Sequence, residues 1–474
     1  EEEVRVDCVV VGAGWTGLAL AAALRAFGVP SFVLIEAGRG VADFWEGNYD
    51  RIRLHTPWHG LPCDAGMCLY KYPMFKPKRD VVRYLADYHE LHGLAPFTRL
   101  RERVTRVEQL GPGRWCVQTL LAGGQRRRYL CRYVAVCTSK LRVPYVPEIQ
   151  GRDVFGGCVI HSRQYATGRV FAGRRVVVVG SGNSAAEIAA DLVECGAGDV
   201  TMLVHGPRLF VPLPRLGRKA WLGRLFGRMT EEATYRDFLL HFDTEAYWAA
   251  VRQRDAAMAA LSEDMSAFGI DRPSEGFGEA NVKRGRIGTF DQGAIRLIRR
   301  GRIAVKRAKL ERLSPARVHF DDGSELEADV LILATGFQPR LEEFLAQPER
   351  FLRGGQEGKG AGLAYLTPLT DNRCRSSVDG SLFFVGFDQA VNGGLSMGFW
   401  GWSCGFLIAQ GLGHLPPDAT FSLDALPERQ ADVRRRRARQ LALRAATAAA
   451  AVVALGALWR RAARPAQLDR LVVY

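Results

Sequence analysis

A complete G-x-G-x-x-G turn near the amino end of the chain constrains the fold most strongly. Gly12, Gly14 and Gly17 form it, directly after the apolar stretch Cys8–Val11 and before an alanine- and leucine-rich run. Glycines at this spacing allow a tight turn, close approach of a pyrophosphate to the backbone, and close packing of a helix on a strand. The pattern predicts a buried strand, a phosphate-binding turn and a helix whose first N–H groups face the phosphates.

An acidic residue follows where a dinucleotide site needs one. The next apolar stretch, Ser31 to Ile35, ends at Glu36, nineteen residues after Gly17. A carboxylate there accepts a hydrogen bond from the 2′-hydroxyl of a ribose. A glycine turn in an unrelated α/β unit is the alternative, but strand, turn, helix, strand and acid occur together here. We assign this first site to FAD.

The same pattern recurs in the middle of the chain. An apolar stretch, Arg175 to Val179, leads into G-S-G-N-S-A, in which Gly180, Gly182 and Ala185 form G-x-G-x-x-A. A second apolar helix and the strand Val200 to Val204 follow. These elements predict a second dinucleotide site, and a degenerate repeat that binds no ligand is the alternative.

The second site lacks the acid of the first. Its strand ends at His205, and Arg208 comes shortly afterwards. A carboxylate at this position would repel a 2′-phosphate, whereas an arginine pairs with one. We therefore assign the second site to NADPH, with Arg208 as the predicted phosphate ligand and Arg215 and Arg218 as alternatives in the same cluster.

The order of these units predicts the fold class. We expect an α/β protein with two Rossmann-like dinucleotide-binding domains, the NADPH domain inserted into the FAD domain, and a helical tail. A third strand, Asp329 to Leu333, runs into A-T-G-F, and we expect it to return the chain to the FAD domain with a glycine turn beside the flavin. The predicted divisions are 1–160 for the first part of the FAD-binding domain, 161–320 for the NADPH-binding domain, 321–425 for the second part of the FAD-binding domain, and 426–474 for a basic and apolar helical tail.

Composition and charge narrow the classes of function. With 47% hydrophobic and 24% charged residues, the chain has the composition of a globular protein. Its net charge is +15, but the basic runs Arg126–Arg128, Arg299–Arg302 and Arg434–Arg439 contain no interleaved aromatic residues. We therefore expect no nucleic-acid partner.

The cysteines indicate the chemical setting. None of the ten forms a C-x-x-C pair, so the sequence predicts no metal site and favours a reduced, cytoplasmic environment. Cys63 and Cys68 have the C-x-x-x-x-C spacing of flavin disulfide reductases, although they lie in a loop marked by proline and glycine. A disulfide reductase is therefore kept as an alternative function.

The linker between the two turns carries a more specific motif. Phe155, Gly157, His161 and Tyr165 form F-x-G-x-x-x-H-x-x-x-Y, which resembles the fingerprint of the class B flavin-dependent monooxygenases. The stretches Y-D-R-I-R-L-H-T-P, K-Y-P-M-F, D-R-P-S-E-G, F-D-Q-G and F-D-D-G resemble the plant YUCCA branch, which converts indole-3-pyruvate to indole-3-acetate. The likeness covers about residues 4 to 410.

Three places depart from that branch. Trp15 stands where its members usually have proline, and Trp58 stands where they usually have lysine. The first A-T-G-like turn reads C-T-S, from Cys137 to Ser139. These changes leave the cofactor assignments in place, but they bear on the substrate, since both tryptophans are expected near the flavin.

The resemblance implies a reaction cycle. NADPH reduces FAD, O2 adds at flavin C4a, and the resulting (hydro)peroxide transfers one oxygen atom to a small-molecule substrate. The most specific prediction is YUCCA-like oxidative decarboxylation of a 2-oxo acid such as indole-3-pyruvate. The alternatives are N- or S-oxygenation, Baeyer–Villiger oxidation, and a flavin-binding regulatory protein that has lost oxygenation.

The predicted site residues follow from the turns and from the resemblance. No catalytic base is predicted, because the resemblance implies that the flavin carries the chemistry while the protein holds and orients it. His161 is expected to tie the two domains together, and His55 is expected either to contact the flavin or NADP+ or to be a loop histidine with its own hydrogen bonds. The predicted cofactor-binding residues are Gly12, Ala13, Gly14, Trp15, Thr16, Gly17, Glu36, Trp45, His55, Gly180, Ser181, Gly182, Asn183, Ser184, Ala185, Arg208, Thr335 and Gly336.

The carboxyl end differs from the rest of the chain. Residues 445–459 carry no charge and are followed by Arg460 and Arg461. The segment is shorter than the about 20 apolar residues of a membrane-spanning helix. We expect a docked or solvent-exposed helix, and peripheral contact with a membrane surface is the alternative.

Overall fold

The computed structural model describes residues 2–58, 60–225, 245–276, 278–280, 288–352, 369–370, 374–387 and 396–421. The predicted tail, 426–474, lies outside the described residues, as does 392–395 of the N-G-G-L-S-M-G segment. Within the described part, no helix is both long enough and apolar enough to cross a membrane.

The strands are short, and most of the buried ones are runs of valine, leucine and isoleucine. In chain order they are β1 (Glu2–Arg5), β2 (Cys8–Val11), β3 (Phe32–Ile35), β4 (Thr98–Arg99), β5 (Glu102–Gly111), β6 (Arg114–Leu121), β7 (Arg126–Cys131), β8 (Tyr133–Val136), β9 (Val143–Pro144), β10 (Cys158–His161), β11 (Val176–Val179), β12 (Val200–Val204), β13 (Phe210–Pro212), β14 (Thr289–Asp291), β15 (Ala304–Arg307), β16 (Leu310–Ser314), β17 (Arg317–Phe320), β18 (Glu325–Glu327), β19 (Val330–Leu333), β20 (Phe337–Gln338), β21 (Leu369–Thr370), β22 (Arg375–Ser376) and β23 (Leu382–Phe384).

Two of the helices begin at the predicted glycine turns. The helices are α1 (Trp15–Ala26), α2 (Asp43–Glu46), α3 (Met67–Tyr70), α4 (Lys78–Leu91), α5 (Asn183–Glu194), α6 (Leu213–Leu225), α7 (Glu245–Leu261), α8 (Ala294–Arg299), α9 (Pro348–Phe351) and α10 (Ser396–Gly411). Short 3-10 turns cover Ala95–Phe97, Gly168–Phe171, Ser266–Phe268 and Leu341–Glu343.

The first sheet contains the strand that leads into the first glycine turn. Its order is β21-β22-β23-β8-β2-β3-β4, and β2 pairs in parallel with both β3 and β8. All four residues of β2 and of β3 are buried, as expected for strands covered on both faces. The strand β23 pairs in parallel with β8 and brings the chain back to this sheet.

The second sheet repeats this arrangement around the second glycine turn. Its order is β10-β19-β11-β12-β15, and every pair is parallel. The strand β11 lies between β19 and β12, as β2 lies between β8 and β3 in the first sheet. The fold is therefore α/β, as predicted.

The strand predicted to return the chain to the first sheet, β19, lies in the second sheet instead, so that expectation is wrong. Asp329 holds its start there, because its carboxylate accepts hydrogen bonds from the backbone N–H and the guanidinium of Arg175, each at 2.8 Å. Thr335 and Gly336 therefore lie at the end of a second-sheet strand. A buried four-residue apolar strand has no sequence signal that tells which of two parallel sheets it joins.

A smaller sheet flanks the first one. The strands β5, β6 and β7 are antiparallel, and β1 adds in parallel to β7. The next strand along the chain, β8, belongs to the large first sheet instead.

Helix α10 packs closely on the helix of the first glycine turn. A Cβ added at Gly401 would lie 2.7 Å from Ala19 Cβ, and one added at Gly405 would lie 2.5 Å from Ala23 Cβ. The small residues of both helices thus allow an approach closer than larger side chains permit. This contact holds α1, and with it the first turn, against the carboxyl-terminal part of the described chain.

The turn after β8 contains a strained residue. Ser139, which stands where the A-T-G pattern has glycine, adopts a φ of 72°. Its Oγ accepts a hydrogen bond from Leu141 N at 3.1 Å. Left-handed backbone costs a residue with a side chain about 1–2 kcal/mol, and glycine avoids that cost.

We expect Ser139→Gly to raise the free energy of unfolding modestly, by less than about 1 kcal/mol, because the greater flexibility of glycine in the unfolded chain offsets part of the relief. Thermal and urea unfolding measure the change. The matched control is Ser139→Ala, which loses the hydrogen bond and keeps the strain, so it lowers stability. If Ser139→Gly is less stable than Ser139→Ala, the strain argument is wrong.

Candidate dinucleotide-binding sites

The first glycine turn is pressed against the end of β8. Gly12 has a φ of 103°, and its N–H donates to the carbonyl of Ile35 at 2.7 Å. Cys137 N donates to Val11 O at 2.8 Å, which brings the C-T-S turn across the end of β2. A Cβ at Gly12 would lie only 3.0 Å from Cys137 O, so both the backbone conformation and the space require glycine.

The second glycine turn is built in the same way. Gly180 has a φ of 131° and donates to Leu203 O at 3.0 Å, while Ala334 N donates to Val179 O at 3.0 Å. A Cβ at Gly180 would lie 2.6 Å from Ala334 O. Each turn is therefore braced by the residue that follows the neighbouring strand, Cys137 in one sheet and Ala334 in the other.

The two helix starts form open cradles. Gly14 and Gly182 are the N-cap residues of α1 and α5, and no side chain caps either helix. A Cβ added to either glycine would meet no atom within 4 Å. Uncapped N–H groups beside bare backbone, at the positive end of a helix dipole, suit the phosphates of a dinucleotide. The chain therefore fits one such cofactor at each turn.

The polar groups at the first turn suit a ribose and a phosphate. Glu36 lies against the turn, because its Oε2 accepts a hydrogen bond from Ala13 N at 2.8 Å and its Oε1 accepts one from Gly38 N at 2.7 Å. Thr138 lies beside Gly12, and its Oγ1 is buried without a hydrogen-bond partner in the described part of the chain. Since buried hydroxyls normally have a partner, Thr138 is a candidate ligand contact that the sequence analysis missed.

The polar groups at the second turn are basic. Arg208 Nε lies 3.4 Å from Ser181 Oγ, so its guanidinium is at the turn itself. Arg215, one of the sequence alternatives, instead pairs with Glu263 at 2.5 Å. This geometry favours Arg208 over Arg215 as the partner of an anionic group at the second turn.

The strand β14 supports the second turn from outside the second sheet. Thr289 Oγ1 donates to Ser181 O at 2.6 Å, and Phe290 N donates to Asn183 Oδ1 at 2.7 Å. The F-D-Q-G stretch noted in the sequence thus holds the loop that precedes α5.

Three other residues predicted to bind a cofactor have buried or half-buried side chains. Trp15 begins α1, but its buried indole stacks on Tyr84 of α4 at 5.4 Å, so the side chain packs in the core. Thr16 is buried next to Gly386, which follows β23. Trp45 is half-buried on the short helix α2. The structure brings together the residues of each turn and keeps the two sets on different sheets.

His55 lies against the second helix. Its Nε2 is 2.5 Å from Oε1 of Glu187, a fully buried residue of α5, and Arg51 pairs with Glu194 further along the same helix. Asp50 pairs with Lys78 at 2.7 Å. Asp50 and Arg51 thus each form an ion pair that holds this loop. Glu187 carries no motif of its own in the sequence, and only its contact with His55 reveals it.

His161 ties the linker to the end of β19. Its Nε2 donates to Gly336 O at 3.0 Å, and its Nδ1 accepts from Arg163 N at 3.1 Å. Burial lowers its pKa, which favours the neutral ring that these two hydrogen bonds require. Both ring nitrogens are occupied by these hydrogen bonds, which leaves neither free for proton transfer. Since β10 and β19 are neighbours in the second sheet, the bonds hold His161 within that unit, and its tying of the two domains stays a prediction.

The two cysteines of the reductase alternative are not joined by a disulfide in the described part of the chain. Cys68 is buried on the short helix α3, whereas Cys63 is half-buried with a φ of 60°. The carbonyl of Cys63 lies 3.1 Å from His92 Nε2, so this loop is packed against the end of α4. Nothing in this geometry adds to the reductase hypothesis.

The chain is similar in sequence to a known oxidoreductase family and to known monooxygenases. The profile of the pyridine nucleotide-disulphide oxidoreductase family matches residues 9–212. The chain is 31% identical over 363 residues to indole-3-pyruvate monooxygenase YUCCA8 of Oryza sativa subsp. indica, covering 74% of this chain and 80% of that protein. It is 32% identical over 353 residues to indole-3-pyruvate monooxygenase YUCCA6 of Arabidopsis thaliana, covering 72% and 78%.

The chain belongs to the YUCCA family of flavin monooxygenases. It is an FAD- and NADPH-dependent monooxygenase. The flavin-containing monooxygenase of Stenotrophomonas maltophilia shares the fold, with a TM-score of 0.59 at 21% identity over 86% of this chain and 99% of that one. The resemblance inferred from the linker fingerprint is therefore confirmed.

We expect Gly14→Ala to weaken FAD retention by about tenfold or more, equivalent to ~1.4 kcal/mol, because the new methyl group occupies the first cradle. Flavin content after gel filtration and FAD titration of the apoprotein measure it. The methyl group meets no protein atom, so unfolding of the apoprotein should be unchanged. The control is Gly111→Ala on β5, which also has open space and should retain FAD. Full flavin content in Gly14→Ala would contradict the placement of FAD.

We expect Gly182→Ala to raise the apparent dissociation constant for NADPH about tenfold while the flavin stays bound, because only the second cradle is filled. Anaerobic reduction at increasing NADPH concentration measures the constant. Gly180→Ala is a poorer test, since its methyl group would lie against Ala334 O and disturb the fold. Loss of FAD with unchanged NADPH binding would mean that the two sites are assigned in reverse.

Proposed function

We propose that this YUCCA-family monooxygenase carries out the oxidative decarboxylation of a 2-oxo acid of the indole-3-pyruvate class. The reaction would convert the acid, O2, NADPH and a proton into the shortened acid, CO2, NADP+ and water. The observation that carries the proposal is the presence of two matching cradles in a chain that is 31% and 32% identical to indole-3-pyruvate monooxygenases over most of its length.

The order of strands supports a two-domain arrangement. The strands β8 and β23 are neighbours in the first sheet, and all of β10 to β19 lies between them in the sequence. The unit around the second sheet is therefore an insertion in the unit around the first. Parallel sheets bind nucleotides at the carboxyl ends of their strands, where both glycine turns lie.

The two cofactors are assigned to the turns by charge. Glu36 lies at the first turn, and we assign to its carboxylate the hydrogen bond from the 2′-hydroxyl of the FAD ribose. Arg208 lies at the second turn, and we assign to its guanidinium the ion pair with the 2′-phosphate of NADPH. When bound, FAD takes a hydride from NADPH and activates O2 for transfer of one oxygen atom to the substrate.

The side chains of the chain itself bind and orient rather than move protons. The glycine turns and helix starts hold the phosphates, and Thr138 offers a further hydroxyl at the first turn. His161 holds the linker against Gly336 in its neutral form. No acid or base is needed in this assignment, because the cofactor supplies the chemistry and the protein supplies position.

A substrate panel tests the proposal. The purified holoenzyme is given NADPH and O2 with indole-3-pyruvate, phenylpyruvate, a thioether, a tertiary amine or a cyclic ketone. We expect NADPH consumption to match formation of the shortened acid and CO2 for a 2-oxo acid, with kcat/KM at least about tenfold above that for the other substrates, or ~1.4 kcal/mol.

Three results would contradict the proposal. Faster turnover of the amine or thioether would indicate N- or S-oxygenation, and lactone formation would indicate Baeyer–Villiger oxidation. If the amount of H2O2 released equalled the amount of NADPH consumed with every substrate, no oxygen atom would be transferred to any of them. In addition, the Cys63→Ser variant should consume NADPH as the unchanged protein does, since loss of reduction would favour a disulfide reductase.

A further inference from the structure

A buried carboxylate joins the helix of the second turn to a segment packed on the first unit. The side chain of Glu187 is fully buried on α5. It accepts hydrogen bonds from Tyr49 Oη at 3.0 Å, from His55 Nε2 at 2.5 Å and from Gln292 Nε2 at 2.8 Å. We call Tyr49, His55, Glu187 and Gln292 the Glu187 cluster. Its four members come from three separate parts of the sequence.

Two of the hydrogen-bond donors of the cluster, Tyr49 and Gln292, are defined by their chemistry. Burial is the larger cause, and the charge of Glu187 the second, that raises the pKa of Tyr49 well above its ordinary range. The phenol therefore keeps its proton. The amide of Gln292 supplies N–H groups, and its Nε2 also lies 3.2 Å from His55 Nε2. A buried carboxylate that lost such donors would be strongly destabilised.

The segment 49–58 is fixed to the first unit by its backbone. Leu54 N donates to Lys76 O at 2.8 Å, and Trp58 N donates to Met74 O at 2.7 Å. The chain then continues into α4, which packs on α1 through the stacking of Tyr84 on Trp15. The Glu187 cluster therefore connects the helices that begin at the two glycine turns.

A second contact on the same helix provides a comparison. Glu194 lies seven residues after Glu187, two turns along the same face of α5, and pairs with Arg51 of the same segment. Its side chain is 40% exposed, whereas that of Glu187 is 0% exposed. Exposed ion pairs contribute little to the free energy of unfolding. Disturbing the partners of a buried, hydrogen-bonded carboxylate costs much more, because it leaves a buried charge without compensation. Of these two contacts, the buried cluster is therefore the costlier one to disturb.

We propose that Glu187 is a positioning residue that holds segment 49–58 against α5 and so sets how the two nucleotide sites face each other. This inference rests on the assignment of FAD and NADPH to the two turns. The hydrogen-bond partners of the Glu187 carboxylate are Tyr49, His55 and Gln292, and none of them is a glycine of either cradle. Loss of Glu187 should therefore slow the reaction between the two nucleotides and leave the affinity for each of them nearly unchanged.

The test is Glu187→Gln, which keeps the shape of the side chain and removes its charge. We expect FAD content and NADP+ affinity, measured by calorimetry, to stay within about twofold of the unchanged protein. The limiting rate of anaerobic reduction by NADPH should fall about tenfold or more, because small misplacements of reacting groups have large effects on rate. Hydrogen exchange of the backbone of residues 49–58 should become faster, which reports the loosened segment without reference to activity.

The matched control is Glu194→Gln, the same substitution on the same face of the same helix. It should change neither the limiting rate nor the exchange of residues 49–58 by more than about twofold. If Glu187→Gln does not yield folded protein, Tyr49→Phe removes one donor without altering the shape of the ring. This milder change should lower the limiting rate in the same direction and leave NADP+ affinity unchanged.

Two outcomes would overturn the inference. An unchanged limiting rate in folded Glu187→Gln or Tyr49→Phe would show that the cluster does not position the reacting groups. A loss of NADP+ affinity by the same factor as the rate would make Glu187 a binding residue instead. Failure of the unchanged protein to be reduced by NADPH at all would be a different result, because it would contradict the proposed function before any variant is compared.

Discussion

The close approach of each glycine turn to a neighbouring backbone carbonyl is the constraint on which the rest of the structure depends. Gly12 sits against Cys137 O and Gly180 against Ala334 O, both with left-handed backbone that other residues adopt only at a cost. These contacts pin the start of each helix at the carboxyl edge of its sheet. The open space at the next glycine of each turn exists because the first glycine is held so tightly.

The second constraint acts between the two units. Each parallel sheet and its helices form a core of their own, so a two-site protein needs contacts that fix one unit relative to the other. One such contact is polar, the hydrogen bond of Glu187, on the helix of the second turn, with His55 of the segment packed on the first unit. Polar contacts have defined distances and directions, which apolar packing between smooth surfaces does not provide.

Sequence reasoning succeeded where the pattern is local. The strand, turn and helix at each glycine motif were predicted because the spacing of glycines, apolar residues and a terminal acid is set by neighbours in the chain. It failed for β19, because four buried apolar residues fit either parallel sheet equally well. The Arg175–Asp329 contact that decides the matter joins residues 154 positions apart. Burial likewise singled out Thr138, the middle residue of the C-T-S turn, which was not among the predicted site residues.

The sequence by itself determines that this chain is an α/β protein with two glycine turns, and its motifs point to the flavin monooxygenase family. Only the tertiary structure decided which sheet each later strand joins, that Arg215 already has the partner Glu263, and that His55 meets Glu187. The physical reason is the range of the interactions. Turn geometry and strand patterning depend on residues a few positions apart, whereas ion pairs and buried hydrogen bonds depend on segments that only the complete fold brings together.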